Sequence, residues 1–519
     1  MVKVTAKKAT AKKTATGKTT TKKTAKKATA RKATTKKATA GKAAGRKAGA
    51  VATEAKTGAA ADPSRINGYP AAVRWLLELQ DFERQRVVRY DEDGGFKLDR
   101  MRRLLAELGN PQEQFRSVHV AGTNGKGSVS HMVDNMMRGI GYTVGRYTSP
   151  HLIDVRERIS VGGMEIDKAA FGDVITKVAE AAQSIDFEPT FFEAITAAAF
   201  VHFEAEAVDL AVIEVGLGGR LDCTNIIQPV LTIITKLDID HAPILGDTLA
   251  KIAAEKAGIM KSGAPCFTLQ QEPEALEVLE ARAKEVGCDL YVLGREIEFS
   301  RRFGTEDDKG SHCRICVIRD DRQYMHIPAP APGEHQAINT GLAIAVVDEL
   351  RQGEFKGDEQ GMLEKLAQTD FPGRMELIHP APRIIGDGAH NPSAVGAFIR
   401  SIGGHIPFDS MVCVIGCCED KDIDGILTEA SRGGDKFFFT KAKSNPRAAD
   451  PRDLQRRFQE VSGKMSQVAD DLPTALLEAS KAVGRDDIIC VIGSYYLAGE
   501  AKQWLADRRA AKEAAATPS

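Results

Sequence analysis

The run Val118-His-Val-Ala-Gly-Thr-Asn-Gly-Lys-Gly-Ser128 concentrates groups that can hold a phosphate. Gly122, Thr123, Asn124, Gly125, Lys126, Gly127 and Ser128 offer a backbone free to approach an anion closely, one point charge and hydroxyls. A glycine loop that opens a helix aims its N–H groups at an anion, and the helix N-terminus adds a positive end. Lys126 can reach the outer phosphates, and Ser128 can reach a metal ion. The spacing is not the usual Walker A pattern, which places Ser or Thr directly after Gly-Lys. Here Gly127 intervenes and the hydroxyl comes one place late. A tight strand-to-helix turn is the competing reading. Three further residues bear on the choice. Glu214 ends the apolar run VDLAVIEVG, where a carboxylate can meet Mg²⁺. His241 follows LTIITKLD in KLDIDH, and Ser149 lies in YTSPHL. Taken singly, these residues also fit a helix cap, a satisfied loop histidine and a turn serine. Together with the glycine loop they form four polar features at the ends of apolar runs, which favours a nucleotide site.

Such a site needs strands that end at one edge. SVHVAG reads as a short buried strand, SVSHMVDNMMRGIG as the helix after the loop, and YTVGRYTSPHL as a strand running into a loop. FFEAITAAAFVHFEAEA is helical, and VDLAVIEVG and LTIITKLD are almost wholly apolar. Strands that alternate with helices and lack an exposed face indicate a parallel sheet covered on both sides. Upstream, YPAAVRWLLELQDFERQRVVRY and FKLDRMRRLLAELG show helical periodicity, the second with Gly109 as a cap. Near residue 370 the pattern restarts, with RIIGDG, MVCVIGC, KFFFTKA and IICVIGSYYL as strands. The expectation is α/β: a P-loop-type parallel-sheet ATPase domain over 62–369, then a smaller Rossmann-like α/β domain over 370–508. A polar tail over 509–519 follows, and a basic tail over 1–61 precedes them.

Charge marks off that first segment. The 519 residues carry 71 Lys plus Arg and 71 Asp plus Glu, a net of zero. Residues 1–61 hold 18 of the basic residues and one acid, Glu54, leaving 53 basic and 70 acidic residues, a net of −17, for the remainder. A Lys/Ala/Thr segment with nothing to bury cannot offset its ordering entropy and is expected to be disordered. Non-specific contact with nucleic-acid phosphates and a solvated extension are its two readings. Nine scattered cysteines argue against a disulfide framework and for reduced thiols in the cytoplasm. No apolar run reaches the length of a membrane span, so none is expected, and the basic segment lacks an apolar h-region, so it is not expected to act as a secretory signal.

AGTNGKGS, YTSPHL, EVGLGGRLDCTN, DIDH, AEKAGI, GEHQAINTGLA, FPGRMEL and DGAHNPSA occur in that order, followed by TKAKSNPRA and GSYYLAGE. In these segments the chain closely resembles the folylpolyglutamate synthase and dihydrofolate synthase enzymes of the Mur ligase superfamily, over about residues 65–505. The resemblance implies an ATP-dependent ligase, bifunctional in this reading, that joins L-glutamate to dihydropteroate or to the glutamate chain of tetrahydrofolate through an acyl phosphate. It implies ATP and two Mg²⁺ ions. Gly122 to Ser128 then cradle the phosphates, and Asn339, Arg374 and Asp387 contact the nucleotide. Ser128, Ser149, Glu214 and His241 become metal ligands. His241 is unusual there, since Mg²⁺ prefers oxygen, so the resemblance carries it. Lys256 matches a carbamylated lysine, with its carboxyl from CO₂. Lys126, Lys256, Asp387 and His390 form the catalytic set. Phe191, Phe192, Glu193, Leu221, Asp222 and Cys223 match the pterin side. The family further implies a cytoplasmic monomer.

Two positions depart from the pattern: Cys223 and Ala242 stand where the family suggests Ala and Thr. A Mur-type ligase for another carboxylate, and a nucleic-acid-associated protein with a vestigial ligase domain, are the alternatives. FPGR and DGAHN argue against the first. Intact Lys126, Glu214, His241, Lys256 and Asp387 argue against the second.

Overall fold

The computed structural model of the chain describes residues 66–81, 83, 97–306 and 310–516. The basic segment 1–61 lies outside the described residues.

The first sheet contains eight strands: β1 (Arg116–Ala121), β2 (Val144–Tyr147), β3 (Ile159–Val161), β4 (Met164–Glu165), β5 (Leu210–Glu214), β6 (Leu231–Ile234), β7 (Cys266–Thr268) and β8 (Leu290–Val292). Their order is β4-β3-β2-β5-β1-β6-β7-β8. All neighbours from β2 to β8 run parallel, and β3 and β4 are antiparallel additions at one edge. The apolar runs follow from burial on both faces. Val118, Val120 and Val212 pack with Met132 and Met136 on one side. Ala211 and Ile213, one residue out of phase, pack with Phe200 and Phe203 on the other, as the two-residue period of a strand requires. Because β2, β5, β1 and β6 are parallel neighbours, their carboxyl ends share one edge. That edge receives the glycine loop, Ser149, Glu214 and the segment leading to His241.

Three antiparallel strands, β9 (Glu298–Glu306), β10 (Gly310–Arg319) and β11 (Arg322–Pro328), form a separate ribbon that the sequence reading did not anticipate. The second large sheet contains β12 (Glu376–Pro380), β13 (Arg383–Gly386), β14 (Met411–Ile415), β15 (Lys436–Phe439), β16 (Met465–Val468) and β17 (Ile488–Ile492). Their order is β12-β13-β17-β14-β15-β16. Only β12 is antiparallel. The molecule is therefore mixed α/β with two mainly parallel sheets.

Several boundaries differ from the sequence reading. The first helix stops at Glu78 because Leu79 turns extended, with ψ 156°, and residues 84–90 of the expected helix lie outside the described residues. The helix Leu98–Glu107 ends as expected, with Gly109 at φ 85°. Asn110 N–H donates to Leu105 O at 2.8 Å and Gly109 N–H to Ala106 O at 3.1 Å, the paired bonds of a Schellman cap. The last helix, Tyr495–Ala516, runs past residue 508, since its Ala/Glu/Lys/Arg sequence has high helix propensity throughout.

Candidate active site

The glycine loop leads into the helix Lys126–Gly139, whose first residues are Lys126, Gly127 and Ser128. Gly125 adopts φ 93°, and a Cβ there would lie 2.8 Å from Asn339 Oδ1. A Cβ on Gly127 would lie 2.6 Å from Arg374 Nη2. Asn339 and Arg374, distant in sequence, are thus both seated against the loop. Asn339 also donates to Gln336 Oε1 at 3.2 Å, and Gln336 Nε2 donates to Ser128 Oγ at 3.2 Å. Thr123 Oγ1 donates to Asp238 O at 3.1 Å, tying the loop to the segment after β6.

Two lysines converge on one carbonyl. Lys126 Nζ donates to Gly122 O at 3.2 Å, and buried Lys256 Nζ donates to the same oxygen at 2.9 Å. Burial, with the Lys126 charge adding to it, lowers the Lys256 amine from its usual 10.5 to about 7. Lys126 Nζ also stands 3.9 Å from Glu214 Oε1. Burial pushes the Glu214 carboxyl up, against the pull of Lys126 and Arg374. The Ser149 N–H points at Glu214 Oε2 at 3.4 Å, so the structure brings Ser149 and Glu214 together.

His241 belongs to a different cluster. It caps the short helix Ala242–Leu245 in a left-handed conformation, φ 51°. Its Nε2 lies 3.4 Å from Lys421 Nζ, and burial holds the ring well below the usual histidine range. The centre of this cluster is Asp240. Three groups from the second sheet's loops reach it: Lys421 Nζ at 2.5 Å, His390 Nε2 at 3.3 Å and Asn391 Nδ2 at 3.5 Å. Burial works to raise the Asp240 pKa, but Lys421, His241 and His390 hold it well below the usual range. Asn391 Nδ2 also donates to Asn124 Oδ1 of the glycine loop at 3.0 Å. His390 Nδ1 faces Gly388 O at 2.8 Å, which fixes its ring. Asp387 accepts from Met375 N at 2.8 Å and Ala389 N at 2.7 Å, and burial pushes its carboxyl up. Asp240, Lys421, Asn391 and Gln336 were not singled out from sequence. Asp240 sat unread beside His241, and Lys421, 181 residues from its partner, had no local signal at all.

On the other wall, Phe192 is half-buried and packs over Gly216, while Phe191 is buried beneath the Arg158 guanidinium, 5.2 Å away. Glu193 is already engaged: Arg100 Nε donates to it at 2.9 Å, and it closes a capping box with Thr190. Leu221, Asp222 and Cys223 follow one another in the loop after β5, and Cys223 Sγ donates to Thr196 Oγ1 at 3.4 Å. Burial pushes the Cys223 thiol well up, so it is a packed thiol rather than a nucleophile. The glycine loop, Ser149, Glu214, Lys256, Asp240, His241, Asn339, Arg374, Asp387, His390 and Lys421 line one cavity of about 1590 Å³ with Phe192, Glu193, Leu221, Asp222 and Cys223, whereas Phe191 and Asn391 stand behind its wall.

The donor set suits a hard cation that keeps most of its ligands from elsewhere. No group of three or more His, Cys, Asp or Glu side chains among the described residues is placed to hold a metal. One buried carboxylate with hydroxyls beside a phosphate loop leaves the remaining positions to nucleotide and water oxygens, the preference of Mg²⁺.

Two mainly parallel sheets, a phosphate loop on the first and a charged cluster bridging to the second are carried by segments that match the Mur ligase family. The Mur ligase middle domain matches residues 120–347, and the Mur ligase glutamate ligase domain matches residues 373–495. A Bacillus subtilis dihydrofolate synthase/folylpolyglutamate synthase is 31% identical over 414 residues, covering 79% of this chain and 94% of the relative. The chain belongs to the folylpolyglutamate synthase/dihydrofolate synthase family. It spans about half the length of a Haloferax volcanii relative named as a bifunctional folylpolyglutamate synthase/dihydropteroate synthase, at 33% identity over 84% of this chain and 50% of the relative. The solved Mycobacterium tuberculosis folylpolyglutamate synthase complexed with ADP and AMPPCP superposes with a TM-score of 0.73 at 32% identity, over 79% of this chain and 95% of that one. The bifunctional Yersinia pestis enzyme complexed with AMPPNP and Mn ion gives 0.71 at 27% identity, over 85% and 98%. Among the described residues no helix is long and apolar enough to cross a membrane.

Proposed function

We propose that this ATP-dependent ligase joins L-glutamate to a pterin carboxylate, that of dihydropteroate and that ending the glutamate chain of tetrahydrofolate, at the cavity between the two sheets. The observation that carries the reading is the bridge across that cavity. Asn391 of DGAHN touches Asn124 of the phosphate loop, and His390 and Lys421 reach Asp240.

A carboxylate is a poor electrophile, so it must be activated. One carboxylate oxygen attacks the terminal phosphorus of ATP, the bond to ADP breaks, and an acyl phosphate forms. The glutamate nitrogen, as free amine, then attacks the carbonyl carbon. The C–N bond forms, the C–O bond to phosphate breaks, and the nitrogen loses a proton. In this reading Gly122, Thr123, Asn124, Gly125, Gly127 and Ser128 hold the phosphates. Lys126 meets the terminal charge, and Asn339, Arg374 and Asp387 hold the nucleotide. Arg374 is half-buried with its guanidinium 5.7 Å from the Tyr495 ring, where a rigid guanidinium can span loop and linker. Ser128, Ser149 and Glu214 are the metal-holding groups at the phosphate loop, His241 is proposed for a second ion from its place beside Asp240, and bound Mg²⁺ would neutralise phosphate charge. Closure between the sheets keeps water from the acyl phosphate.

Lys256 is the proposed carbamylation site. Carbamylation needs a neutral amine, and a pKa near 7 leaves about half of the groups neutral at neutral pH. The product replaces a cation beside Lys126 with an anion that Lys126 can pair. The pterin side is assigned to Phe191, Phe192, Glu193, Leu221, Asp222 and Cys223. Phe191 and Glu193 shape that wall, since one is buried and the other is held by Arg100. The enzyme is further proposed to act as a monomer in the cytoplasm. Light scattering that gives a dimer would overturn the first. Non-specific contact of residues 1–61 with nucleic acid is a separate reading. DNA retardation by the full chain, but not by a chain starting at Asp62, would support it.

The test of the ligase assignment is phosphate release from ATP with L-glutamate and Mg²⁺, offering dihydropteroate and tetrahydrofolate separately. Turnover with both fits the bifunctional reading, turnover with one fixes the step, and turnover with neither ends the folate assignment.

A further inference from the structure

A chain of polar groups runs from the middle of the first sheet to the cavity wall. His119 lies in β1 between Val118 and Val120 and is fully buried. Its Nε2 is 2.9 Å from Thr224 Oγ1. Thr224 Oγ1 is 2.5 Å from Asp222 Oδ1, which also accepts from Thr224 N at 3.0 Å. Asp222 Oδ2 accepts from Leu217 N at 2.8 Å. One carboxylate thus ties the end of β5 to the turn Cys223–Ile226.

The proton positions follow from counting donors. Burial, with the Lys261 charge adding to it, takes His119 down to about 3, so the ring is neutral at any working pH. Burial raises the Asp222 carboxyl, but the Thr224 hydroxyl and the N–H groups of Leu217 and Thr224 all donate to its two oxygens, the arrangement of a carboxylate. A carboxylate only accepts, so the Thr224 hydroxyl gives it its single proton. The hydroxyl oxygen then accepts from His119, which must carry its proton on Nε2. Nδ1 is left buried without a partner. An aromatic ring lacking nitrogen would fill the space without that desolvation cost. What the imidazole adds is one directed N–H.

We propose that His119 is a positioning residue for the pterin end of the substrate, acting through Thr224 to orient Asp222 and the loop 216–226. The inference rests on the folate-ligase reading of this cavity. The loop begins at Gly216, pressed against the Phe192 ring, and carries Leu221, Asp222 and Cys223 on the cavity wall. Releasing Asp222 therefore loosens both the wall and the seat of the aromatic ring. The phosphate loop lies past the end of the same strand and is held by separate contacts, to Lys236, Asp238, Asn339 and Asn391. The effect should fall on the pterin and not on the nucleotide.

The test is calorimetric titration of the full chain with dihydropteroate and, separately, with ADP. His119→Phe removes the N–H and keeps an aromatic ring. His119→Gln restores a donor near the Nε2 position, and Thr224→Val removes the relay at its middle. His119→Phe and Thr224→Val should each weaken dihydropteroate binding about tenfold, the scale of one lost buried hydrogen bond. The double variant should be no weaker than either single one. His119→Gln should return to within about threefold, and ADP binding should shift less than about twofold in all of them. Equal losses for ADP and dihydropteroate, additive losses in the double variant, or unaltered binding by a folded His119→Phe would overturn the proposal. If His119→Phe does not fold, Thr224→Val and His119→Gln carry the same comparison. A native chain that binds ADP but no dihydropteroate would instead sink the folate reading, and this inference with it.

Discussion

Lys256 offers a test in which stability and activity should move in opposite directions. Its amine is buried, with one hydrogen bond to Gly122 O at 2.9 Å, and its pKa falls from 10.5 to about 7. The unfolded chain, with an ordinary lysine, therefore holds more protons than the native chain between about pH 7 and 10.5. Stability should rise with pH through that window, and the full penalty should be present below about pH 7. The shift of roughly three units and a half, at about 1.4 kcal/mol each, puts the full penalty on the order of 5 kcal/mol, most of it present at neutral pH. Lys256→Met keeps the stem and removes the charge. It should raise the melting temperature at pH 7, raise it less at pH 9.5, and abolish ligation. Melting curves for both proteins across that range, in CO₂-depleted buffer so that the native lysine stays a free amine, make the comparison, with phosphate release measured in parallel in bicarbonate. A melting temperature for Lys256→Met at or below that of the native chain at pH 7 would refute the burial argument. A difference that did not shrink with pH would refute the titration.

Carbamylation makes a separate claim on the same residue: the native enzyme should lose activity in CO₂-depleted buffer and regain it with bicarbonate, whereas indifference to CO₂ removes the modification from the scheme. Gly125→Ala forces a Cβ onto a residue at φ 93° and against Asn339 Oδ1, and should lower kcat/KM for ATP by roughly 100-fold, with nucleotide affinity measured directly as a check. Asp240→Asn leaves Lys421 without its carboxylate partner, a loss worth about 3–5 kcal/mol for a buried pair. It should open the cleft, seen as a larger radius of gyration in solution scattering, and cut turnover by at least about 100-fold; a native radius and native turnover would remove Asp240 from the bridge.

The parts of this site written in local sequence were legible there. Strands β1, β5 and β6 announce themselves as apolar runs because both faces of a parallel sheet are covered. The glycine loop between β1 and a helix then has one place to be, and Glu214 follows from its position at the end of β5. The bridge was not legible. Asp240 and Lys421 meet across 181 residues, and nothing in CCEDKD says where its lysine will point. The ribbon β9–β11 was passed over although CRICVIR and RQYMHIP carry the β-branched residues and alternation of strands. Glu193 shows the opposite case. Thr190 followed three residues later by Glu193 is a capping-box signature, and the structure uses that glutamate to start a helix and to pair Arg100. The first helix stopped early because amphipathic spacing continued beyond Glu78 while the backbone did not.

The central claim is that a carboxylate is activated as an acyl phosphate in the cleft between the two sheets. The most direct measurement follows heavy oxygen from the carboxylate of the pterin substrate during turnover with ATP and L-glutamate. The account predicts that one labelled oxygen leaves in inorganic phosphate and the other stays in the new amide. Label retained wholly in the organic product or released to water, with unlabelled phosphate, would contradict it.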